Sequence, residues 1–432
     1  MLVTRSRLPR SLQIAVALSG FGWTWWRQHH RAPDTLPDHL RRTLEGLGTT
    51  FVKLGQGLSL RRDLLPVPYL HALESLHNRV PPFDPAQAVA SIETAFGQPV
   101  DQLFAEFDRE PFAAASVAQV HRARMADGRV VAVKVRRPGI EAQVTADLRL
   151  LRRFARIAQW LLPGLGRHRP LELIDELAQF LRQEIDMVQE ARNMRRLAGT
   201  LDPLPYLTLP HVIEPMVSAA VIVQEFSHGA PLATRYRTPR GRELAGLVLD
   251  AYVHQLMGAG VFHADPHPGN LFELPDGRLC LHDFGSIGFL DPVSRAALAQ
   301  LIEGLVVGDA ATVLDAVVAM GFIEGPFDRH AYLRGISEIL SNMATLPLNE
   351  WSMADAIWRV ACIGAGENFR LPRHLLVLIR TLFLAENTLR ALDPDLDLVQ
   401  ALRARADHMV QTLKLQSPGR PIHAKLLHSA EQ

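Results

Sequence analysis

Residues 261–291 read VFHADPHPGNLFELPDGRLCLHDFGSIGFLD, and the fold turns on them. Two short apolar runs, LFEL and LCLH, flank the turn PDGR, which predicts a β-hairpin. That hairpin carries the end of HADPHPGN and the start of HDFG to the same place, so Asp265, Asn270 and Asp283 are expected together. One carboxylate able to accept a hydroxyl proton, with an amide and a second carboxylate for Mg²⁺, is the set that phosphoryl transfer requires. Mg²⁺ takes hard oxygen ligands and keeps several waters, so one Asn and one Asp suffice from the protein. Either motif alone is weak. Asp-Phe-Gly at a strand end, behind a loop that runs from Asp265 to Asn270, is specific in combination.

Working outward, Val131-Ala132-Val133-Lys134 matches the kinase strand whose lysine pairs with nucleotide phosphates and with a glutamate on an adjacent helix. Strand alternation points Val131 and Val133 to one face and Ala132 and Lys134 to the other. Such a lysine alone reads equally well as a solvated strand residue; its agreement with the distant hairpin decides for a nucleotide. Where a kinase places a glycine-rich loop, this chain has Pro111-Phe112-Ala113-Ala114-Ala115-Ser116. Each Cβ limits how closely the backbone approaches a phosphate and disfavours positive φ. The loop is therefore expected to be stiffer, with altered nucleotide preference and poor transfer to bulky protein substrates.

Composition bounds the rest. The chain has 432 residues, 48% hydrophobic and 21% charged, with 46 Lys+Arg against 45 Asp+Glu and a formal net charge of +1. An apolar share near one half excludes a mainly disordered chain, and the absence of a basic excess argues against a nucleic-acid partner. Cys280 and Cys362 cannot build a disulfide framework or a four-cysteine metal site, so a cytoplasmic home is expected. Residues 35–80 carry apolar residues at helical intervals, and AQAVASIETAFG reads as a further short helix ending at Gly97. From about residue 103 the period becomes two, with Asp127-Gly128 as a hairpin turn. A long helical region follows to about 198, then strands, then helices to the end apart from 261–290. We read an α+β fold divided as a helical N-terminal extension (1–100), a strand-bearing lobe (101–228), a helical lobe (229–416) and a tail (417–432).

The apolar stretch SLQIAVALSGFGWTWW lies between Arg10 and Arg27 and falls short of the roughly 20 residues a spanning helix needs. Arg5, Arg7 and Arg10 before it imitate a signal peptide, but Trp23, Trp25, Trp26 and Arg27 follow where small residues should mark a cleavage site. Tryptophans beside arginines suit a helix lying at a membrane interface. A helix packed on the body of the same protein is the equal alternative. The apolar segment 371–392 holds Arg380, Glu386 and Arg390 and so reads as a buried helix.

The alanine-rich loop, Lys53-Leu54-Gly55-Gln56, Glu184-Ile185-Asp186 and HADPHPGN together resemble the UbiB/AarF family of atypical protein-kinase-like proteins. The likeness runs over roughly residues 40–300 and includes PFAAASVAQVHRA and VAVKVRRPGI. It implies an atypical protein-kinase-like two-lobed fold, binding of ATP or ADP with Mg²⁺, ATP hydrolysis, and a link to ubiquinone biosynthesis and isoprenoid-lipid homeostasis. Implied partners are the nucleotide and an isoprenoid or quinone lipid or a quinone-biosynthesis complex, with peripheral contact at an inner membrane through the N-terminal segment. By the resemblance, Ala113, Ala114, Ala115 and Ser116 line the nucleotide and Lys134 binds it, with Glu190 as helix partner. Asp265 is then the catalytic-loop aspartate, and Asn270 and Asp283 the metal ligands. The family's Lys-x-Gly-Gln helix folds over the cleft where a protein substrate would dock, and brings Lys53 and Gln56 towards the nucleotide, Glu184 and Asp186. Helix geometry adds a constraint: Asp186 and Glu190 share a face, but Glu184 lies about 200° from Asp186 at roughly 100° per residue. One regular helix cannot present all three, so an irregularity is expected there. Departures from the family are Asn78 where an acidic residue is common and Ser286-Ile287 after Asp-Phe-Gly, and a C-terminal hydrophobic pair like that of UbiB is not expected.

His263-x-Asp265-x-His267 also invites a transition-metal reading. Pro266 and Pro268 prevent helix there, and Asp-Phe-Gly would have no part in it. With Ala264 where kinases carry arginine, no partner for an activation-loop phosphate is evident. Two functional classes therefore stand: an ATP-dependent phosphotransferase or ATPase, and a nucleotide-gated module that binds lipid or a biosynthetic complex with little turnover.

Overall fold

The computed structural model describes residues 9–28, 33–59, 65–76, 81–161, 170–323, 325–344, 352–363 and 373–405. Arg5, Arg7, Asn78 and the tail 417–432 lie outside the described residues. The chain divides into two compact units, Met1–Ala191 with Val212–Phe226, and Arg192–His211 with Ser227–Gln432. The helical extension and the strands read from 101 onward thus share one unit. Arg192–His211, which the sequence reading groups with the strands, packs instead with the second unit. The reason is local pairing: Leu207–Thr208 runs parallel to Leu279–Leu281, and His254 Nε2 lies 2.9 Å from the Thr200 carbonyl.

In the first unit the described residues form a six-stranded sheet. Its order is Glu106–Phe107, Ala118–Arg124, Val130–Arg136, Val221–Glu225, Val212–Val217, with Ala113–Ala114 also on Ala118–Arg124. The alternation expected of Val130–Arg136 is observed. Val131, Val133 and Val135 are buried in a core shared with Ile213, Val223 and Ile92. Ile92 belongs to the helix Pro85–Phe96, which Asp84 starts by accepting the Ala86 N–H and Gly97 ends in the left-handed conformation at φ 70°. Gly128 turns the hairpin at φ 87°. A second core joins Leu44, Phe51, Leu54, Leu73, Leu177 and Leu181 with Ile222, which lies opposite Lys134 in the sheet.

The N-terminal helix Arg10–Gln28 settles partly into this second core. Ile14 is fully buried there, and Arg10 binds the buried Asp147 carboxylate through Nε and Nη2, each at 2.8 Å. Its other end is bare: Trp23 is 60% and Trp26 64% exposed. The reading of a helix packed on the body of the same protein therefore holds for its first half. Among the described residues no helix is long and apolar enough to cross a membrane.

The second unit carries a four-stranded sheet in the order Leu207–Thr208, Leu279–Leu281, Leu271–Glu273, Ala230–Pro231. A separate pair joins Ile287–Phe289 to Val261–His263. Helices surround them, among them Arg373–Leu392. One face of that helix is buried, including Leu375, Leu378, Ile379 and Leu389, and its Glu386 accepts from Ser352 Oγ at 3.0 Å and the Ala354 N–H at 3.2 Å.

Candidate functional site

Lys134 sits in the middle of the sheet, between Val120 and Ile222 on its neighbours. Its Nζ lies 2.5 Å from Glu190 Oε1, and the glutamate side chain is only 6% exposed. The pair expected from the sequence is therefore made, with its glutamate buried and its lysine partly exposed. Charges held in this way are secure together and costly apart.

Lys53 forms the second buried pair of the first unit, with Nζ 2.6 Å from Glu184 Oε2. Its helix, Thr49–Leu58, comes close to its neighbours because two glycines lack a Cβ. A Cβ on Gly55 would stand 2.3 Å from Leu76 Cδ1, and one on Gly57 would stand 2.9 Å from Leu177 Cδ2. Leu177 belongs to the helix Pro170–Glu184, whose last residue is the partner of Lys53, so the glycine contact sets the distance across which that pair forms. Gln56 Nε2 donates to the Leu76 carbonyl at 3.0 Å, which ties the same helix down on its other side.

The conflict over the three carboxylates is resolved by a break. One helix ends at Glu184 and the next, Met187–Ala198, begins after Asp186. Asp186 is its cap, with Oδ1 accepting the Gln189 N–H at 2.9 Å, and this re-aims the chain so that Glu190 reaches Lys134. The alanine loop is a hydrogen-bonded hairpin: Ala113 and Ala114 pair with Val120 and Gln119, and the Ala115 N–H donates to Ala118 at 2.8 Å. Ser116 is fully buried, and its carbonyl accepts from Thr49 Oγ1 at 3.4 Å and Arg137 Nε at 3.3 Å. The Lys-x-Gly-Gln helix and the alanine loop are thus joined at one carbonyl.

In the second unit the hairpin forms as expected, with Leu271 opposite Leu281 and Glu273 opposite Leu279. The His282 N–H donates to the Asn270 carbonyl at 2.8 Å, which extends the ladder and sets Asn270 beside the strand end that carries Asp283. Asn270 Nδ2 donates to the Asp265 carbonyl and to Asp265 Oδ2, both at 3.2 Å. With the amide nitrogen committed to Asp265, the amide oxygen is the group of Asn270 suited to a hard cation. Asp283 is exposed and holds φ 58°, a left-handed backbone uncommon outside glycine. Its carbonyl accepts from the buried His263 Nε2 at 2.7 Å, and its Oδ1 accepts from the Gly285 N–H at 3.3 Å. These backbone ties over-determine the unusual φ and aim the carboxylate outward.

His263 is itself fixed: its N–H donates to Gln255 Oε1 at 2.8 Å, and Tyr252 Oη donates to its carbonyl at 3.3 Å. Burial raises the Tyr252 phenol well above its usual range, so it remains a donor. His267, by contrast, is exposed and accepts the Gly269 N–H at 3.0 Å. The two imidazoles serve the loop backbone, and among the described residues no group of three or more His, Cys, Asp or Glu is arranged to hold a metal. Asn270 and Asp283 offer one amide and one carboxylate oxygen, which is the hard donor chemistry that fits Mg²⁺.

Two contributors were not singled out from sequence. Arg380 Nη2 lies 3.1 Å from Asp265 Oδ1. Gly288 is the other, since a Cβ there would fall 1.9 Å from the Phe262 ring across the strand pair that supports His263. In the sequence Arg380 is a charge inside an apolar helix, and the available signal was Thr381 and Thr388, seven residues apart and so on one face beside it.

The profile of the ABC1 atypical kinase-like domain matches residues 75–317. A protein named "Probable protein kinase UbiB" from Tolumonas auensis is 32% identical over 418 residues, covering 94% of this chain and 77% of that one. Another of that name, from Marinobacter nauticus, is 33% identical over 401 residues, 91% of this chain and 72% of its own. Among solved structures, Rv3197 from Mycobacterium tuberculosis in complex with erythromycin is similar at TM-score 0.54 and 26% identity, covering 78% of this chain and 87% of that one. With hairpin, strand lysine and paired glutamate each in place, the chain belongs to the ABC1 family of atypical kinase-like proteins and has their α+β fold.

Proposed function

We propose that the protein is an Mg²⁺-dependent ATPase, or a kinase for a small or lipid-linked acceptor, that supports ubiquinone or isoprenoid-lipid biosynthesis. The observation that carries this reading is the double use of Asn270, whose side chain holds Asp265 while its backbone pairs with the strand leading to Asp283. One residue thereby fixes the proton acceptor relative to the metal ligands. In this reading Asn270 and Asp283 would hold Mg²⁺, which supplies neutralising charge to the phosphates when bound. Asp265 orients and accepts the proton of the attacking hydroxyl or water. Lys134 pairs with nucleotide phosphate, ATP or ADP, and Glu190 keeps its ammonium in place. Lys53, Gln56, Glu184, Asp186 and the alanine loop (Ala113, Ala114, Ala115, Ser116) belong to the same nucleotide-responsive apparatus, with acceptors smaller than a folded protein. The exposed tryptophans of Arg10–Gln28 suit peripheral contact with a lipid surface, at an inner membrane facing the cytoplasm.

The test is phosphate release by the full chain with Mg²⁺–ATP, with and without phospholipid vesicles, in wild type, Asp265→Asn and Asp283→Asn. Release by the wild type that falls at least roughly a hundredfold in both variants is expected. A wild type that binds no Mg²⁺–nucleotide overturns the proposal. Nucleotide-dependent vesicle binding that survives in Asp265→Asn, with no turnover in the wild type, would instead assign a nucleotide-gated module.

A further inference from the structure

The helix Arg373–Leu392 meets three consecutive residues of the HADPHPGN loop. Thr381 Oγ1 donates to the Ala264 carbonyl at 3.3 Å, Arg380 Nη2 to Asp265 Oδ1 at 3.1 Å, and Thr388 Oγ1 to the Pro266 carbonyl at 2.7 Å. The two threonines hold backbone. Only Arg380 holds the carboxylate to which the proposed reaction assigns a proton.

The loop has no Lys or Arg of its own between His263 and Asn270. Asp265 is instead gripped from two directions, Oδ1 by Arg380 and Oδ2 by Asn270 Nδ2 at 3.2 Å. A carboxylate with a donor on each oxygen has one orientation about its χ angles, whereas one donor leaves it free to swing. The guanidinium is well placed for this task, because its side chain is 15% exposed and its planar fork is rigid. Its Nε is buried and has no hydrogen-bond partner among the described residues. An arginine kept under these conditions is held for its contact with Asp265 rather than for its own hydrogen bonding.

We infer that Arg380 is a positioning residue for Asp265, supplying from the helix Arg373–Leu392 the cation that the catalytic loop lacks. The inference rests on the proposed phosphoryl chemistry and adds to it a residue 115 positions away in the chain.

The test is a double-mutant cycle in the full chain, with Mg²⁺–ATP turnover and nucleotide affinity measured separately. Arg380→Gln should lower kcat roughly a hundredfold, the scale of a misplaced reacting group, while KM and nucleotide affinity stay within a few fold. Arg380→Lys should recover part of kcat, since a point charge restores the attraction without the fork. In an Asp265→Asn background, Arg380→Gln should lower turnover no further, because two residues acting as a unit are not additive. Losses that multiply in the double variant, or an Arg380→Gln protein with unchanged kcat, overturn the inference while leaving the proposed function intact. A wild type without Mg²⁺-dependent phosphate release overturns both. Should Arg380→Gln fail to unfold cooperatively, the same cycle with Arg380→Lys decides by the same criterion, and Thr388→Val reports what loosening the helix alone does.

Discussion

The two units hold their chemical groups by different physics. In the first, each ion pair has one buried member, Glu190 against Lys134 and Lys53 against Glu184, so each cation is fixed by an opposite charge in a setting of reduced dielectric. In the second, Asn270 and Asp283 are fixed by backbone-ladder, amide and imidazole hydrogen bonds, with Asp283 left exposed on an unusual φ, while Asp265 is held by the Asn270 amide together with the Arg380 guanidinium. The first arrangement ties function to stability, since removing the partner of Glu190 or of Lys53 strands a buried charge. The second separates them at Asp283, whose exposed carboxylate is aimed by backbone contacts rather than by a charged partner.

That contrast can be broken, beginning with its largest expected effect. Asp283→Asn should abolish Mg²⁺-dependent turnover, a fall of at least roughly a hundredfold, with little change in thermal unfolding, because asparagine tolerates the left-handed backbone. Asp283→Ala should lose activity equally and also lose about 1 kcal/mol of stability, measured by denaturant titration, since its Cβ gains no local hydrogen bond at φ 58°. If Asp283→Asn unfolds the protein instead, the separation argued for the second unit is wrong.

In the first unit the order reverses. Lys134→Met should lose nucleotide binding and also about 3–5 kcal/mol of stability, because Glu190 is left buried without its cation. Replacing both residues, Lys134→Met with Glu190→Leu, should recover most of that stability and none of the binding. Gly55→Ala sharpens the same point by packing alone: a methyl group 2.3 Å from Leu76 Cδ1 should cost about 1–3 kcal/mol and loosen the Lys53 helix.

The smallest effect is a pH dependence in the first unit. His121 Nδ1 lies 2.9 Å from the Asp108 carbonyl and so donates, while Nε2 lies 2.9 Å from Gln119 Nε2 and so accepts. Burial accordingly holds the imidazole below its ordinary value of 6.5. As pH falls through 6.5, the unfolded chain binds a proton that the native state refuses, so stability drops until the lower native value is reached. Above that range the group contributes no slope. Denaturant titrations between neutral and mildly acidic pH should show this loss in wild type and a flatter profile in His121→Asn.

What could be read from sequence was what is local. The hairpin of residues 271–281, the alternation in Val130–Arg136 and the capped helix Pro85–Phe96 each carry their own signals in adjacent residues, and all three form. The conflict among Glu184, Asp186 and Glu190 was also legible as an angle, and the break at Asp186 answers it. Arg380 escaped because a contact across the chain to Asp265 has no period. Gly288 escaped because a missing Cβ announces nothing until Phe262 lies across it. The placement of Arg192–His211 with the second unit rests on a parallel pairing two residues long, too short to leave a pattern. The N-terminal helix was hard to place for a similar reason: Arg10 finds the buried Asp147 far along the chain, while Trp23 and Trp26 near its other end are more than half exposed.

The most direct test is calorimetric titration of the purified full chain with ATP and with ADP, with and without Mg²⁺, for wild type and Asp283→Asn. The account predicts nucleotide binding in the wild type that is strengthened by Mg²⁺, and loss of that strengthening in Asp283→Asn with the fold retained. Wild-type protein that takes up nucleotide equally well without Mg²⁺, or takes up none, would contradict it.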